Sequence, residues 1–317
     1  MAKRKQSSTR FNRRVFLWSA VSAVVILCLL ITANGKLGLP YLPTWESLYE
    51  DFGLRDSLPA EGELKVTVLD VGNADSILLQ CGENAMLIDA GENNDEDTVV
   101  NALYQAGVKR LDYVIATHAD ADHIGGMDAV IREFPIGTFL MSFMPKGHTP
   151  TTRTYEKMLE ALIDTDITPV QAEHGAEYML GEARITILSG IKDYNENNDQ
   201  SVVCAVSHGE MDFLFMGDAG KAVENDILSA VPDLDVEMLK VGHHGSSTSS
   251  GGEFVRRISP QYAMITCGAD NPYYHPHSET LKTLERHNVE VYRSDVNGRV
   301  AFTSDGDTIT VTAEKGE

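Results

Sequence analysis

Ten residues, Thr117-His118-Ala119-Asp120-Ala121-Asp122-His123-Ile124-Gly125-Gly126, constrain this chain more than any other stretch. Two imidazoles and two carboxylates fall within six positions, directly after the apolar run Tyr113-Val114-Ile115-Ala116, which reads as a buried strand. Side chains that close together cannot all point one way from regular backbone. They fan out on a turn, and Gly125 with Gly126 is expected to let the backbone bend so that a helix can begin. Imidazole with carboxylate suits Zn2+, Mn2+ or Fe, and Asp120 with Asp122 makes the set harder than an all-histidine one. Taken alone, a polar loop with two incidental histidines is the competing interpretation.

Two later strand ends carry groups of the same kind. Phe213–Met216 runs into Gly217-Asp218, a lone carboxylate that could also cap the helix expected from Lys221. Met238–Val241 runs into Gly242-His243-His244-Gly245-Ser246, paired imidazoles between glycines. Active sites of mixed α/β folds gather at strand ends in this way.

From Glu63 onward short strands alternate with helices. The first strands are read near Leu64–Asp70, Ser76–Gln80 and Ala85–Asp89, with helices over Asp97–Ala106 and Met127–Phe134. Strands near Arg184–Leu188, Ser201–Ser207 and Met211–Met216 precede a helix over Lys221–Ala230. The chain closes on helices Glu253–Ile258 and Ser278–His287 among strands at Met238–Val241, Tyr262–Thr266, Val289–Ser294, Val300–Ser304 and Thr308–Thr312. Mixed strands interleaved with helices predict two packed sheets covered by helices, an αββα sandwich.

The N-terminus differs in kind. Residues 1–14 carry Lys3, Arg4, Lys5, Arg10, Arg13 and Arg14 and no acid, and residues 15–33 then run without a charge. That length matches the roughly 20 residues of a membrane-spanning helix. The cationic flank predicts a cytoplasmic N-terminus with the remainder outside the cytoplasm. A cleaved signal peptide is the competitor, and its removal would make the protein secreted. Residues 34–61, with Pro40, Pro43 and Pro59, read as a linker with a short helix around Trp45–Asp51, leaving 62–317 as one large domain.

Charge narrows the partners. Without the six basic residues of the tail, 20 basic residues stand against 47 acidic ones, a net charge near −27. Such a surface is poor at neutralising a nucleic-acid backbone, although bound divalent cations can dominate the field locally. Cys81, Cys204 and Cys267 are an odd number in apolar contexts and read as buried thiols.

The segment His118-x-Asp120-x-Asp122-His123 with Gly125-Gly126 resembles the HxHxDH signature of the metallo-β-lactamase superfamily, Asp120 standing where a second histidine is usual. Leu69 to Ser76 looks like the family's DVGQGD segment and Leu87 to Gly91 like its LIDAG turn. Asn198 to Val203 resembles an NxxS strand entry, Met216-Gly217-Asp218 a TGD, Leu239 to Ser246 an LKVxHHGS and Asn271 to His277 an NxYxHPH run. The set covers nearly all of Glu63–Thr312. It is similar to the extracellular metallo-β-lactamase-like domain of ComEC-type competence proteins, which act in DNA uptake.

The resemblance implies a four-layer αββα metallo-β-lactamase sandwich, before which the charge-free run places one N-terminal transmembrane helix. It implies two divalent metal ions, for which the residue types suit Zn2+ or Mn2+, one held by His118 and Asp120 and the other by Asp122 and His123. Asp218 would bridge them, and His243, His244 or both would complete the set. The third histidine of typical lactamases has no counterpart, because Asn197 to Ser201 stands in its place. Asp122, Asp218 and His277 are the expected catalytic residues, and Ser246, Asn271 and His275 the expected substrate contacts. Asp70 and Asp75 are expected behind the ligands, orienting them, with strand-end turn formation as the alternative. The implied activity is that of a membrane-anchored, extracytoplasmic two-metal phosphodiesterase or nuclease acting on DNA or nucleotides. The alternatives are a phosphorylcholine-esterase-like hydrolase of cell-surface phosphodiesters and a metal-poor binding module. The membrane is the one partner besides substrate, and no protein partner is identifiable.

Overall fold

A computed structural model describes residues 13–37, 42–43, 48, 56, 58–142 and 149–316. Most of the basic tail, most of the linker and the short helix expected around Trp45–Asp51 lie outside the described residues. The chain divides into two compact units, Met1–Ser57 and Leu58–Glu317. The first holds helix α1 (Arg13–Leu37), whose large apolar side chains from Val21 to Leu30 are exposed. Side chains of α1 are described only between Val21 and Asn34, and among the described residues no helix is long and apolar enough to cross a membrane.

The second unit is built on two sheets. The first contains β1 (Leu64–Val68), β2 (Ile77–Cys81), β3 (Asn84–Ile88), β4 (Leu111–Ala116), β5 (Ile136–Met141), β6 (Val170–Gln171), β14 (Val300–Ser304) and β15 (Ile309–Ala313). Their order is β15-β14-β1-β2-β3-β4-β5-β6, with β3 to β6 parallel to one another. The second contains β7 (Glu177–Leu180), β8 (Ala183–Ile187), β9 (Cys204–His208), β10 (Met211–Phe215), β11 (Met238–Lys240), β12 (Tyr262–Ile265) and β13 (Glu290–Arg293). Their order is β13-β12-β11-β10-β9-β8-β7, and β10 to β13 run parallel.

Alternation along each strand sorts side chains between layers. Val66, Leu79 and Met86 of one sheet and Ile185, Phe213 and Met264 of the other share the inner core. Their neighbours point outward. Leu78, Leu87 and Val114 pack with Val99 of α2 (Glu96–Gln105), Ile124 of α3 (Ala121–Ile124), Val130 of α4 (Met127–Glu133) and Met158 of α5 (Arg153–Asp164). Leu214, Leu239 and Ile265 pack with Ile227 of α6 (Lys221–Ala230), Phe254 of α7 (Gly252–Ile258) and Leu284 of α8 (Ser278–Arg286). Strand segments covered on both faces must be apolar, which is why Val114–Ala116 of β4 and Phe213–Phe215 of β10 read as continuous hydrophobic runs. A last short helix, α9 (Ser294–Asn297), follows β13.

The expected strand at Ser201–Ser207 begins later, at Cys204. Asn198–Gln200 forms a single 3-10 turn, and the Ser201 hydroxyl donates to Asn198 O at 2.6 Å while accepting from Asp218 N–H at 3.1 Å. A serine so engaged draws its backbone away from the ladder. Five strands, β3, β4, β10, β11 and β12, bring their C-terminal ends to one side, and polar residues follow each of them: Asp89, Thr117-His118, Asp218, His243-His244 and Thr266.

Candidate metal centre

The turn after β4 is held by the turn after β3. Ala90 N–H donates to His123 O at 2.7 Å, Gly125 N–H to Gly91 O at 2.8 Å and Gly126 N–H to Ala90 O at 3.1 Å. Gly125 has ordinary right-handed dihedrals, φ −58 and ψ −45. Its glycine is required by approach, because a Cβ there would sit 2.1 Å from the Glu92 carbonyl carbon and 2.2 Å from Asn93 N. The bend expected at this position is therefore a close crossing of two backbones. His244 stands at φ 50 between Gly242 and Gly245, a left-handed conformation that turns its ring inward where the chain leaves β11.

These turns bring Asp122, His123, Asp218 and His244 together, one ligand atom of each lying within 4.8 Å of all the others. His123 Nε2 is 3.3 Å from Asp218 Oδ1, and His244 Nε2 is 3.5 Å from both Asp122 Oδ2 and Asp218 Oδ1. His118 Nε2 lies 3.5 Å from Asp120 Oδ2, and the rings of His118 and His123 are 4.1 Å apart. His243 Nε2 faces the outer oxygen of Asp218 at 3.7 Å. Of the two tandem histidines, His244 joins the four-residue cluster and His243 lies beside it. Asn198, in place of a third histidine, reaches Asp218 at 3.5 Å and the His243 ring at 3.3 Å, and Asn197 donates to Asp120.

The remaining ring nitrogens face outward from the cluster. His123 Nδ1 meets Asp89 Oδ2 at 2.7 Å, and Asp89 also accepts from Thr117 N–H at 2.8 Å and Thr117 O–H at 2.6 Å. His244 Nδ1 meets Thr266 O at 2.9 Å. A Nδ1–H donated outward leaves each Nε2 lone pair facing inward. Behind both imidazoles Asp75 accepts from Thr266 O–H and pairs with Lys240 Nζ at 2.8 Å, both charges fully buried.

The donor set fits a cation. His118 Nε2, His123 Nε2, His244 Nε2 and Asp218 Oδ1 are all buried and have no hydrogen-bond partner among the described residues. Buried polar atoms left open in this way are normally satisfied by something. Electrostatics agrees. Burial opposes the charged form of each group, yet Asp218 and Asp89 lift His123 well above its ordinary value. Burial likewise works to raise Asp218 and Asp122. His244 and His123 nevertheless hold Asp218 well below the carboxylate range and Asp122 at about 2. The carboxylates call for positive charge at this spot, and a divalent ion supplies it without protonating the ligands.

A cavity of about 500 Å³ opens over the cluster, lined by Asp120, Asp122, Asp218, His243, His244 and His275 and at its mouth by Asn73, Glu92, Asn198, Pro272 and Tyr273. Other expected site residues stand elsewhere. His277 has both ring nitrogens engaged, Nδ1 by Ser247 N–H of the loop after the tandem histidines at 2.9 Å and Nε2 by Tyr273 O of its own loop at 3.2 Å. Asn271 braces the same turn through Gly268 O at 2.8 Å and through His275 O and N–H at 2.6 and 2.9 Å. Ser246 is buried and accepts from Thr248 O–H at 3.0 Å. His275 reaches the cavity, its Nδ1 without a hydrogen-bond partner among the described residues and its pKa lowered to about 4 by burial and then by His243. Asp75 lies behind the ligands, whereas Asp70 pairs with Lys315 Nζ at 3.1 Å, partly exposed. Asp89 and Lys240 went unremarked in the sequence, although an acid opening the turn after a buried strand, and a lysine inside an apolar strand, are both signals of paired burial.

Residues 69–268 match the sequence family described as Metallo-beta-lactamase superfamily. The chain is 30% identical over 264 residues to ComE operon protein 3 of Bacillus subtilis (strain 168), covering 77% of this chain and 33% of that one. It is 30% identical over 247 residues to Competence protein ComA of Neisseria gonorrhoeae, covering 76% and 32%. Recombination protein 2 of Haemophilus influenzae is 24% identical over 295 residues, covering 91% and 32%. The chain thus spans about a third of the length of the curated relatives it matches. Among solved structures, the metallo-β-lactamase fold protein YhfI from Bacillus subtilis covers 73% of this chain and 96% of its own, at 15% identity and a TM-score of 0.49.

Proposed function

The chain belongs to the metallo-β-lactamase superfamily, and on that premise we propose that it is a two-metal hydrolase of phosphodiesters, with nucleic acid as the leading substrate. The observation that carries this reading is the set of buried, unpartnered donor atoms on His118, His123, His244 and Asp218. His118, Asp120 and Asp218 would hold one ion, and Asp122, His123, His244 and Asp218 the other. Two such ions lower the pKa of water towards neutrality and offset phosphate charge within an otherwise acidic site. Asp89 and the Thr266 carbonyl keep the two Nε2 lone pairs aimed inward. Asp122, ionised and at the cavity wall, orients the attacking water, and neutral His275 offers a hydrogen bond to the phosphate or its leaving oxygen. The names of the competence and recombination relatives favour nucleic acid over other phosphodiesters.

The basic tail, the uncharged run of residues 15–33 and the exposed apolar side chains of α1 support an anchor in the cell membrane, with the catalytic unit outside the cytoplasm. A phosphorylcholine-esterase activity is the second reading, favoured by a cavity whose described lining includes Glu92 and Asp120 and no lysine or arginine. Elemental analysis after dialysis, with turnover of bis-p-nitrophenyl phosphate, DNA and p-nitrophenyl phosphorylcholine in Mn2+ or Zn2+, tests both. About two ions per chain and hydrolysis of the first two substrates are expected. A chain that retains no ion and turns over nothing overturns the hydrolase, and turnover of the choline ester alone selects the second reading.

A further inference from the structure

We infer that Tyr273 is a stacking platform for an unpaired base next to the scissile phosphate, so that the site takes single-stranded rather than duplex nucleic acid. The inference rests on the phosphodiesterase reading above and adds the substrate form. Tyr273 lines the cavity and is 62% exposed, leaving much of a large aromatic ring open to solvent. Its ring stacks on His275, centroids 5.6 Å apart and planes 24° from parallel, and the His275 ring stacks in turn at 6.3 Å on that of His244. A line of rings thus leads from the metal cluster to solvent.

The platform is fixed in advance. Asn271 braces the turn on both sides of His275, and His277 Nε2 meets Tyr273 O at 3.2 Å, so an occupant need not order it. Charge points the same way. No lysine or arginine stands among the described residues that line the cavity, so those residues draw no affinity from cationic contacts with phosphate. Aromatic stacking supplies it instead, and only a base free of its duplex neighbours has a face to offer.

The test uses the full chain and two short labelled oligonucleotides, identical except that one carries an abasic tetrahydrofuran residue beside the cleaved phosphate. The unmodified strand is expected to have a KM lower by about tenfold or more. In Tyr273→Ala that ratio collapses to about one with kcat retained, and in Tyr273→Phe it persists. Equilibrium binding of both strands in Ca2+ gives the same comparison without turnover, so a protein that binds with this preference yet cleaves nothing refutes the hydrolase reading and keeps the platform. Equal binding of both strands by the unmodified protein, a ratio untouched in Tyr273→Ala, or a loss confined to p-nitrophenyl phosphorylcholine overturns the inference.

Discussion

Lys240 Nζ lies 2.8 Å from Asp75 Oδ2, and both side chains are sealed from solvent behind the imidazoles of His123 and His244. Burial alone would raise the Asp75 carboxyl, but Lys240 and then His123 hold it below the ordinary range. Removing one partner of such a pair leaves an uncompensated buried charge. Lys240→Met is therefore expected to destabilise the fold by about 3–5 kcal/mol, and the double change Lys240→Met with Asp75→Leu to recover most of that loss. Urea denaturation of the three variants measures it, and an additive double variant contradicts the pairing.

Asp89 acts one layer out from the ligands. Asp89→Asn can still accept from the Thr117 backbone but loses the charge that faces His123 Nδ1. Metal affinity is expected to fall by about 10- to 100-fold with the fold retained, as read by competition with a chelator. Unchanged affinity shows that the contact does not orient the ligand.

Glu224 of α6 is buried and accepts from Ser250 N–H and, at 2.9 Å, from Gly251 N–H, pinning the loop that follows the tandem histidines. Burial pushes its carboxyl from 4.5 to about 7. The folded state then binds a proton between those values and the unfolded chain does not, so this group's contribution is full below about 4.5 and is lost as pH rises through about 7. Stability is expected to drop by ~3 kcal/mol over that interval from this group. Glu224→Gln should flatten that part of the profile, and urea midpoints at pH 5, 6, 7 and 8 decide it.

Gly125→Ala places a methyl group against the Glu92–Asn93 backbone. Neither chain can retreat without breaking the Gly125–Gly91 and Gly126–Ala90 hydrogen bonds. A loss of about 3 kcal/mol or more is expected, together with lower metal content at equal protein concentration. A melting temperature and ion content equal to the unmodified protein would show that the crossing is loose.

Much of this architecture is legible in the chain because local order and burial agree. The runs Val114–Ala116 and Phe213–Phe215 are apolar because each strand is covered on both faces, and the donors stand directly after them. The gap lies between residues 134 and 184, where the sequence pattern points to no element and the structure places β5, α5, β6 and β7. Helix α5 does carry a signal there, with Thr152 capping Tyr155 N–H and Tyr155, Met158 and Leu162 buried at helical spacing. Strand β6 has only two residues and no pattern to read. Within the site, residue types disclosed the ligands but not the direction of each side chain. Asn271 and Ser246 look like substrate contacts in a motif and His277 like a catalytic residue, yet each has its side chain engaged in bracing the surrounding loops. Lys240 stands inside an apolar strand, and its partner Asp75 lies far away in sequence, so no local pattern joins the two.

The acid and imidazole donors arrive from opposite halves of the sandwich: His118 to His123 follow β4 of one sheet, Asp218 and His244 follow β10 and β11 of the other. No segment of the polypeptide can assemble the full set before the two layers have met. A cation bound there would act as a rivet across the seam, tightening as the protein folds and springing only when the halves part.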